Sequence, residues 1–412
     1  MGGRSKIGVG EDPAMGRLNR EATVDRRTLL KMGGMGLVAA GLGGCAARSA
    51  PAPTVTRRPP LRLAPVRAEW DRIIRTTVGL RPHRPSGFVL RADELDDTTV
   101  IHNYGHGGSG MSLSWGTGRM AAEMALGHDS RRAAVIGCGA VGLTAARQLQ
   151  RRGFAVTIYA MSVPPNTTSN MSFAGFTPTA GLVDDDLRTP AWDAQFREAA
   201  EISYRELQLL AGTRFGVSWI DRYGLSDTPP GAAGDDPEEE REPLLPGHLR
   251  TGGFTLGPGE HPFPSRYAIR SSQLRIEPSI YLDALVHDFI DFGGRIEIRE
   301  FTEPRELVAL NEPLVVNCSG LGARDLFGDA ELLPAKGQLT VLVPQEEVDW
   351  GIGGDPPDGD TRGLLGIHMQ PRRDGIVLGG TSERGEWSRE PNQEALQRIV
   401  SAHMAVYSAM RV

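Results

Sequence analysis

The order of apolar and polar residues after position 130 predicts alternating strands and helices. Residues 133–160 comprise an apolar strand (AAVIG), a glycine-rich turn that opens a helix (CGAVGLTAARQLQRRG) and a second apolar strand (FAVTIYA). That order is one βαβ unit. Farther along, PLVVNCSG is a continuous apolar run of the kind found in buried parallel strands. The pattern therefore predicts an α/β fold.

Helical spacing of apolar residues marks several other segments. The clearest spans 278–291, where Leu282, Leu285, Val286 and Phe289 fall at i, i+3, i+4 and i+7 between a proline and a pair of glycines. The other predicted helices lie at about 65–78, 118–127, 191–210 and 396–407. The alternating run RIEIREF predicts a further strand.

The first 45 residues have the composition of a targeting segment. Arg26 and Arg27 precede a short apolar stretch, Leu29 to Leu42, which is too short and too glycine-rich for a membrane-spanning helix. The arginine pair resembles a twin-arginine export signal, and LGGC resembles a lipobox in which Cys45 is lipidated. A disordered extension with an incidental cysteine is the alternative.

This pattern predicts a protein that the twin-arginine export machinery carries and that a lipid anchor alone holds at the cell envelope. Residues 46–64, rich in proline, alanine and arginine, are predicted to be a flexible tether, with folding beginning near residue 61. The acidic run at 231–247 is predicted to be a solvated insertion.

Charge and cysteine content exclude some functions. The 412 residues include 51 acidic and 45 basic residues, and a net charge of -6 provides no basic surface for nucleic acid. Cys138 and Cys318, the cysteines beyond Cys45, lie in apolar surroundings and are predicted to be small core residues. Neither a disulfide framework nor a metal site is expected.

A glycine fingerprint occupies the turn between the two strands of the βαβ unit. Gly137, Gly139 and Gly142 follow an apolar strand and open a helix, with Ala140 and Val141 between the last two. Glycines in this context let backbone N–H groups approach a diphosphate at the positive end of the helix dipole. The segment is therefore predicted to bind a dinucleotide, an ordinary tight turn being the alternative.

The second strand of this unit lacks the acidic residue that usually binds the ribose of a dinucleotide. It ends in TIYAMS, with Ala160 and Met161 where a carboxylate is expected. Ribose contacts are therefore predicted from the nearest polar residues, Asn166, Thr167 and Thr168.

Six segments of the chain carry a family resemblance. Four of them are IYAMSVPPNTTSNMSFAGFTP, VVNCSGLGARDL, PAKGQLTVL and LGGTSERGEW, and the two most specific are VGLRPHRP and VIHNYGHGGSGMSLSWG. Together, across nearly all of residues 75–410, they resemble the D-amino acid oxidase and D-aspartate oxidase family of FAD enzymes. In that family the last two segments form the C-terminal end, whereas here they precede the βαβ unit. The resemblance therefore implies a circularly permuted chain.

The resemblance implies a Rossmann-like FAD-binding domain and a substrate domain with a mixed or antiparallel sheet. The implied division of the chain is a signal at 1–45, a tether at 46–64, the FAD-binding domain at 65–185 and 278–330, and the substrate domain at 186–277 and 331–412.

The resemblance also assigns the substrate and ring contacts. Arg81, in GLRP, matches the arginine that binds the substrate carboxylate, with a surface salt-bridge arginine as the alternative. Gly108 matches the glycine whose carbonyl accepts a substrate amino hydrogen. Backbone N–H groups of the next four residues match donors to the pyrimidine oxygen of the flavin. These four residues are Ser109, Gly110, Met111 and Ser112. His102 and His106 lack a third residue at metal-ligand spacing, so no metal is expected.

Two pocket tyrosines of the family are missing. The corresponding positions hold Leu364 and His368, the second of which is interpreted either as a replacement polar contact or as a plain pocket wall. The preceding GIGGDPPDGDTRGLLG has the composition of a flexible lid.

The expected function is FAD-dependent oxidation of a D-amino acid, or a similar amine-bearing carboxylate, by hydride transfer to flavin N5. The products would be a 2-oxo acid, ammonia and hydrogen peroxide, with oxygen as electron acceptor, and no protein side chain is required as a base. Two alternatives remain. One is a flavin dehydrogenase that passes electrons to a membrane carrier. The other is a catalytically degenerate flavin-binding protein, suggested by the missing tyrosines and ribose acid.

Overall fold

The computed structural model describes residues 61–229, 243–354 and 364–411. The predicted signal with Cys45, the tether as far as residue 60, residues 230–242 of the acidic insertion and residues 355–363 of the predicted lid lie outside the described residues. The described strands, in chain order, are β1 (Ile73–His83), β2 (Val89–Leu95), β3 (Thr98–Tyr104), β4 (Arg132–Ile136), β5 (Ala155–Ala160), β6 (Val217–Ser226), β7 (Gly253–Leu256), β8 (Tyr267–Ile276), β9 (Arg295–Ile298), β10 (Leu314–Asn317), β11 (Leu333–Leu342), β12 (Trp350–Gly354), β13 (Leu364–Arg372), β14 (Gly375–Thr381) and β15 (Glu383–Arg384). The described helices are α1 (Gly110–Ala125), α2 (Ala140–Gln150), α3 (Pro190–Leu209), α4 (Pro278–Asp291), α5 (Arg305–Val308), α6 (Ala323–Phe327) and α7 (Gln393–Ser408).

The smaller sheet has six strands in the order β2-β3-β10-β4-β5-β9. All neighbours are parallel except the edge pair β2 and β3. Apolar residues of α1, α2 and α4 pack on one face, and those of α5 and α6 pack on the other. The predicted βαβ unit is confirmed as β4, α2 and β5, and the apolar run PLVVN is confirmed as β10. This half of the fold is Rossmann-like.

The larger sheet has nine strands in the order β1-β11-β14-β13-β12-β6-β8-β7, with β15 paired to β11. Its pairs are antiparallel except for the parallel pair β6 and β12, so the sheet is mixed, as expected. Helix α7 packs Ile399 and Val406 against Ile376 and Leu378 on one face. The opposite face carries the side chains of Arg81 and His368.

The predicted helix at 65–78 is wrong. Residues from Ile73 onward form β1, an edge strand of the larger sheet that pairs antiparallel with β11. The segment IIRTTV is rich in β-branched residues, whose stiff side chains favour a strand. The helix was predicted from the spacing of apolar residues, which does not take this preference into account.

This correction changes the expected domain boundaries. The range 65–185 was assigned to the FAD-binding domain, but β1 lies in the larger sheet. Conversely, α3 was placed in the substrate domain at 186–277, and its Phe196 and Ala199 pack in the core of the smaller sheet.

The predicted helices at 191–210, 278–291 and 396–407 are confirmed as α3, α4 and α7. The helix predicted at 118–127 begins earlier, at Gly110, because α1 starts directly at the glycine-rich loop.

Candidate active site

The glycine turn between β4 and α2 is packed so closely against the backbone that side chains would not fit at two of its glycines. Gly137 has φ +109°, and a Cβ there would lie 2.5 Å from the Cys318 carbonyl oxygen. A Cβ on Gly142 would overlap the Gly137 carbonyl oxygen. The first N–H groups of α2 have no carbonyl partner within the helix, so they suit an anion such as a diphosphate. The turn therefore fits a dinucleotide.

The predicted ribose residues lie beside this turn. Thr167 is buried and its hydroxyl donates to Asn170 Oδ1 at 2.8 Å, whereas Asn166 and Thr168 are exposed. The connection to the turn is Ser169, whose Oγ accepts a hydrogen bond from the Ala140 N–H at 3.0 Å. Ser169 was not predicted, although it directly follows the polar run that was.

The glycine-rich loop ends in a single turn, Gly107–Ser109, and leads into α1. Ser109 Oγ donates to the Ala180 carbonyl at 3.1 Å, and Ser112 Oγ donates to the Gly175 carbonyl at 2.9 Å. These hydroxyls fix the loop to the segment 174–181. The N–H groups in the first turn of α1 have no helical acceptor and remain suited to a ligand oxygen.

Arg81, on β1, is oriented by main-chain carbonyls. Its Nε donates to the Ala335 carbonyl at 3.1 Å and its Nη2 donates to the Thr381 carbonyl at 2.9 Å. Among the residues that the structure describes it has no acidic partner, and burial lowers its pKa from the usual value. Arg81 therefore differs from a surface salt-bridge arginine, because main-chain carbonyls fix the orientation of its guanidinium and no described carboxylate neutralises its charge.

The predicted pieces meet in one region. A Cβ on Gly108 would lie 3.6 Å from Arg81 Cδ, and a Cβ on Gly110 would lie 3.8 Å from Val141 Cγ2. The carboxylate-binding candidate, the glycine-rich loop and the helix that follows the glycine turn are therefore neighbours in three dimensions.

His368 lies on β13, on the face of the larger sheet opposite the Ile376 and Leu378 side chains that α7 covers. Its ring covers Gly379 and Gly380, and the Phe173 ring meets it edge-on at 4.6 Å between centroids. Burial, together with the positive charge of Arg222 and the neighbouring His403 and Arg81, lowers the pKa of His368 to about 3, so the imidazole is neutral.

One predicted position, Leu364, and one residue that was not predicted, Arg222, need separate comment. Leu364 begins β13 and pairs with Thr381, but its side chain lies outside the described residues. Arg222, on β6, was not predicted, because nothing near it in the sequence indicates a site.

The histidines of the glycine-rich segment make separate contacts. The His102 ring nitrogens lie 3.1 Å from Asn317 Nδ2 and 3.3 Å from Asp93 Oδ2, and His106 Nε2 lies 3.1 Å from Thr117 Oγ1. Within the described parts of the chain, no three His, Cys, Asp or Glu residues are grouped for a metal ion. Cys138 and Cys318 are buried free thiols, and burial raises both pKa values.

Comparison with known proteins identifies the family. A sequence model of the FAD dependent oxidoreductase family that includes D-amino acid oxidase (DAO) matches residues 56–124 and 132–411. The chain belongs to this family. The oxidoreductase is 30% identical to a D-amino-acid oxidase of Rubrobacter xylanophilus over 285 residues, 69% of this chain and 80% of the relative. It is also 30% identical to a D-amino-acid oxidase of Streptomyces coelicolor over 270 residues, 65% of this chain and 74% of the relative.

Solved structures give a weaker match. The oxidoreductase aligns with glycine oxidase from Geobacillus kaustophilus at a TM-score of 0.49 and 14% identity, over 67% of this chain and 78% of that one. Family membership makes the protein an FAD-dependent oxidoreductase with FAD as its cofactor.

Proposed function

We propose that the protein oxidises a D-amino acid, or a similar amine-bearing carboxylate, with oxygen as electron acceptor. One amino acid, one water and one O₂ would give a 2-oxo acid, ammonia and hydrogen peroxide. The observation that carries this proposal is the guanidinium of Arg81, which two carbonyls orient and no described carboxylate neutralises, beside Gly108. The D-amino-acid oxidase relatives support the choice of substrate class.

Arg81 binds the substrate α-carboxylate in this proposal. A planar guanidinium donates two parallel charge-assisted hydrogen bonds to a carboxylate, and truncation at such a site costs about 2–5 kcal/mol. The Gly108 carbonyl accepts a hydrogen from the substrate amine, which orients the α-carbon. His368 stays neutral because of its lowered pKa, so it does not compete with Arg81 for the carboxylate.

FAD, when bound, supplies the acceptor for the hydride that leaves the substrate α-carbon. We assign its diphosphate to Gly137, Gly139, Ala140, Val141 and Gly142. The ribose is assigned to the segment 166–169 and the pyrimidine end of the ring to N–H groups of 110–112. The Ser109 N–H is not included, because it donates to the His106 carbonyl at 2.9 Å. No side chain is assigned as a catalytic base.

Product analysis tests this function. The full-length, flavin-loaded protein should convert one or more D-amino acids aerobically, with hydrogen peroxide, ammonia and 2-oxo acid formed in equal amounts. Rapid reduction of an artificial dye with little oxygen consumption would instead indicate a dehydrogenase. A panel of D-amino acids that yields no product with either acceptor would contradict the proposal.

We also propose that the chain is circularly permuted relative to its family. The family match falls in two segments that break within the connection from α1 to β4. The two ends of the described chain contact the same short segment. The Leu61 N–H donates to the Glu260 carbonyl at 3.2 Å, and the Arg411 N–H donates to the Pro262 carbonyl at 2.9 Å.

Export and lipid anchoring remain a proposal based on residues 1–45. In the portion that the structure describes, no helix combines the length and apolar character needed to cross a membrane. Cell fractionation tests the proposal. The chain should move to the envelope fraction, Arg26→Lys with Arg27→Lys should keep it inside the cell, and Cys45→Ser should release it from the membrane. Unchanged distribution of these variants would refute the assignment.

A further inference from the structure

The face of the larger sheet that carries Arg81 and His368 carries a third large polar side chain, Arg222. Each of these side chains lies over a glycine of a neighbouring strand. Gly337 is beneath Arg81, where a Cβ would lie 3.3 Å from the guanidinium, and a Cβ on Gly353 would overlap the guanidinium of Arg222. The glycines let three bulky polar groups lie flat along one face.

The pairing register places these groups on the same side of the sheet. Gly353 is the cross-strand partner of His368, and His368 is the partner of Gly379, so the His368 side chain projects from the face on which these two glycines leave space. Along the strand order, β13 with His368 lies between β14, which Arg81 contacts through Thr381, and β12, which Arg222 covers. His368 therefore stands between the two arginines.

Arg222 has no hydrogen-bond or ion-pair partner among the described residues. Its sequence neighbour Asp221 binds Arg270 instead, with Nε and Oδ2 3.0 Å apart. Burial lowers the pKa of Arg222, and no acidic group among the described residues opposes that effect. Arg222 is half-buried. Even partial burial of an unpaired cation is unfavourable, so this guanidinium is suited to an anionic partner that the described residues do not supply.

Beside Arg222 lies a cavity of about 200 Å³. Its walls include Phe176, Tyr204, Trp219 and Gln273, and the Gln273 Oε1 is buried without a hydrogen-bond partner. Since water occupies about 30 Å³ per molecule in the liquid, the cavity has room for a short side chain with a polar end. Arg222 and Gln273 thus line the same cavity, and neither the Arg222 guanidinium nor the Gln273 Oε1 has a hydrogen-bond partner among the described residues.

We infer that Arg222 binds a second acidic group at the distal end of the substrate, so the preferred substrate is a dicarboxylic D-amino acid. This inference rests on the proposed function and specifies its substrate. Arg81 takes the α-carboxylate, Arg222 takes the side-chain carboxylate, and the neutral His368 separates the two charges. Because Arg222 touches substrate only at its far end, it determines specificity and not the reaction itself.

Binding of redox-inert ligands tests Arg222 without turnover. Succinate and butyrate have equal chain length and differ in the second carboxylate. The full-length, flavin-loaded protein should bind succinate at least tenfold more tightly by calorimetry. Arg222→Gln should abolish this preference, and Arg222→Lys should retain part of it. Arg270→Gln, which alters the neighbouring paired arginine, should leave it unchanged. Equal binding of both acids by the unaltered protein, or an intact preference in Arg222→Gln, would overturn the inference.

Steady-state kinetics distinguishes a failure of the dicarboxylic substrate assignment from a failure of the proposed D-amino acid oxidation. For D-aspartate and D-glutamate, kcat/KM should exceed that for D-norvaline, and Arg222→Gln should lower kcat/KM about 100-fold for the acidic substrates but less than threefold for D-norvaline. Preference for D-norvaline by the unaltered protein would overturn the inference while leaving D-amino acid oxidation intact. If no D-amino acid is oxidised, the proposed function fails and the substrate assignment with it, whereas the succinate preference still decides whether Arg222 is an anion site.

Discussion

At the scale of single residues, main-chain acceptors orient Arg81 for the carboxylate that we propose it binds. The Ala335 and Thr381 carbonyls fix the guanidinium plane but do not cancel its charge. A carboxylate that arrives there meets donors already oriented, so less side-chain freedom is lost on binding. The sequence alone identified Arg81 by resemblance, but these two acceptors lie about 250 to 300 residues away along the chain.

Arg81→Gln should weaken carboxylate ligands about 100-fold, because it removes the charge while keeping a polar side chain of similar reach. Benzoate titration, followed by the visible flavin spectrum, measures the change. Flavin content should stay as in the unaltered protein. The control is Arg384→Gln, since Arg384 is a more exposed arginine paired with Asp184. Unaltered benzoate affinity in Arg81→Gln would remove this residue from the site.

Three buried histidines predict a pH dependence of stability. Burial lowers the pKa of His106 and of His368 to about 3 and that of His403 to about 4, from 6.5. Below pH 6.5 the unfolded chain binds protons that the folded chain does not. The stability is therefore fully present above pH 6.5 and is lost as the pH falls toward 4, by up to about 1.4 kcal/mol per histidine per pH unit.

Thermal unfolding midpoints between pH 7.5 and 4.5 measure this loss. His403→Leu should flatten the slope, and the same change at the exposed His287 provides the control variant. An identical slope in the unaltered protein and His403→Leu would contradict the assignment.

At the scale of elements, local patterns were predicted well and long-range ones were not. The turn from Gly137 to Gly142 could be recognised because its glycines and the elements on either side are adjacent in sequence. The strand β1 was predicted as a helix because the prediction did not weigh its β-branched residues, and its partner β11, some 260 residues away, cannot be identified from spacing. Arg222 was missed for the same reason, because its significance comes from Gly353 and His368 on other strands.

Gly142→Ala should weaken FAD binding about 10- to 100-fold, because the added methyl group would overlap the Gly137 carbonyl and push the turn apart. The ratio of flavin to protein after extensive dialysis measures the effect. Gly127→Ala is the matched control, since a Cβ there meets the Met124 carbonyl only at 3.4 Å on an exposed helix end. Full flavin retention by Gly142→Ala would contradict the role of the turn.

At the scale of the whole molecule, the first and last residues that the structure describes lie close to one short segment between the strands of the larger sheet. Leu61 and Arg411 both bond to the segment 260–262, and α1 passes to β4 through a short connection at 126–131. A chain with adjacent ends tolerates relocation of its termini to a surface connection. The contacts that form the site do not depend on which connection is broken.

A relinked chain tests this. It would begin at residue 130, run to 411, continue through a Gly/Ser linker of about eight residues and finish with residues 61–127. Because the contacts of the site are preserved, flavin loading and benzoate affinity should match those of the natural order within about twofold. A relinked chain that is soluble but binds no flavin would contradict the proposed permutation.

The most direct test of the central claim is anaerobic mixing of the full-length, flavin-loaded protein with matched D and L enantiomers of acidic and neutral amino acids. If Arg81 and the Gly108 loop orient an amine-bearing carboxylate beside the flavin, the visible flavin absorbance should disappear with D enantiomers and persist with their L counterparts. Persistence of the absorbance with every D enantiomer, in protein that carries a full complement of FAD, would contradict the account.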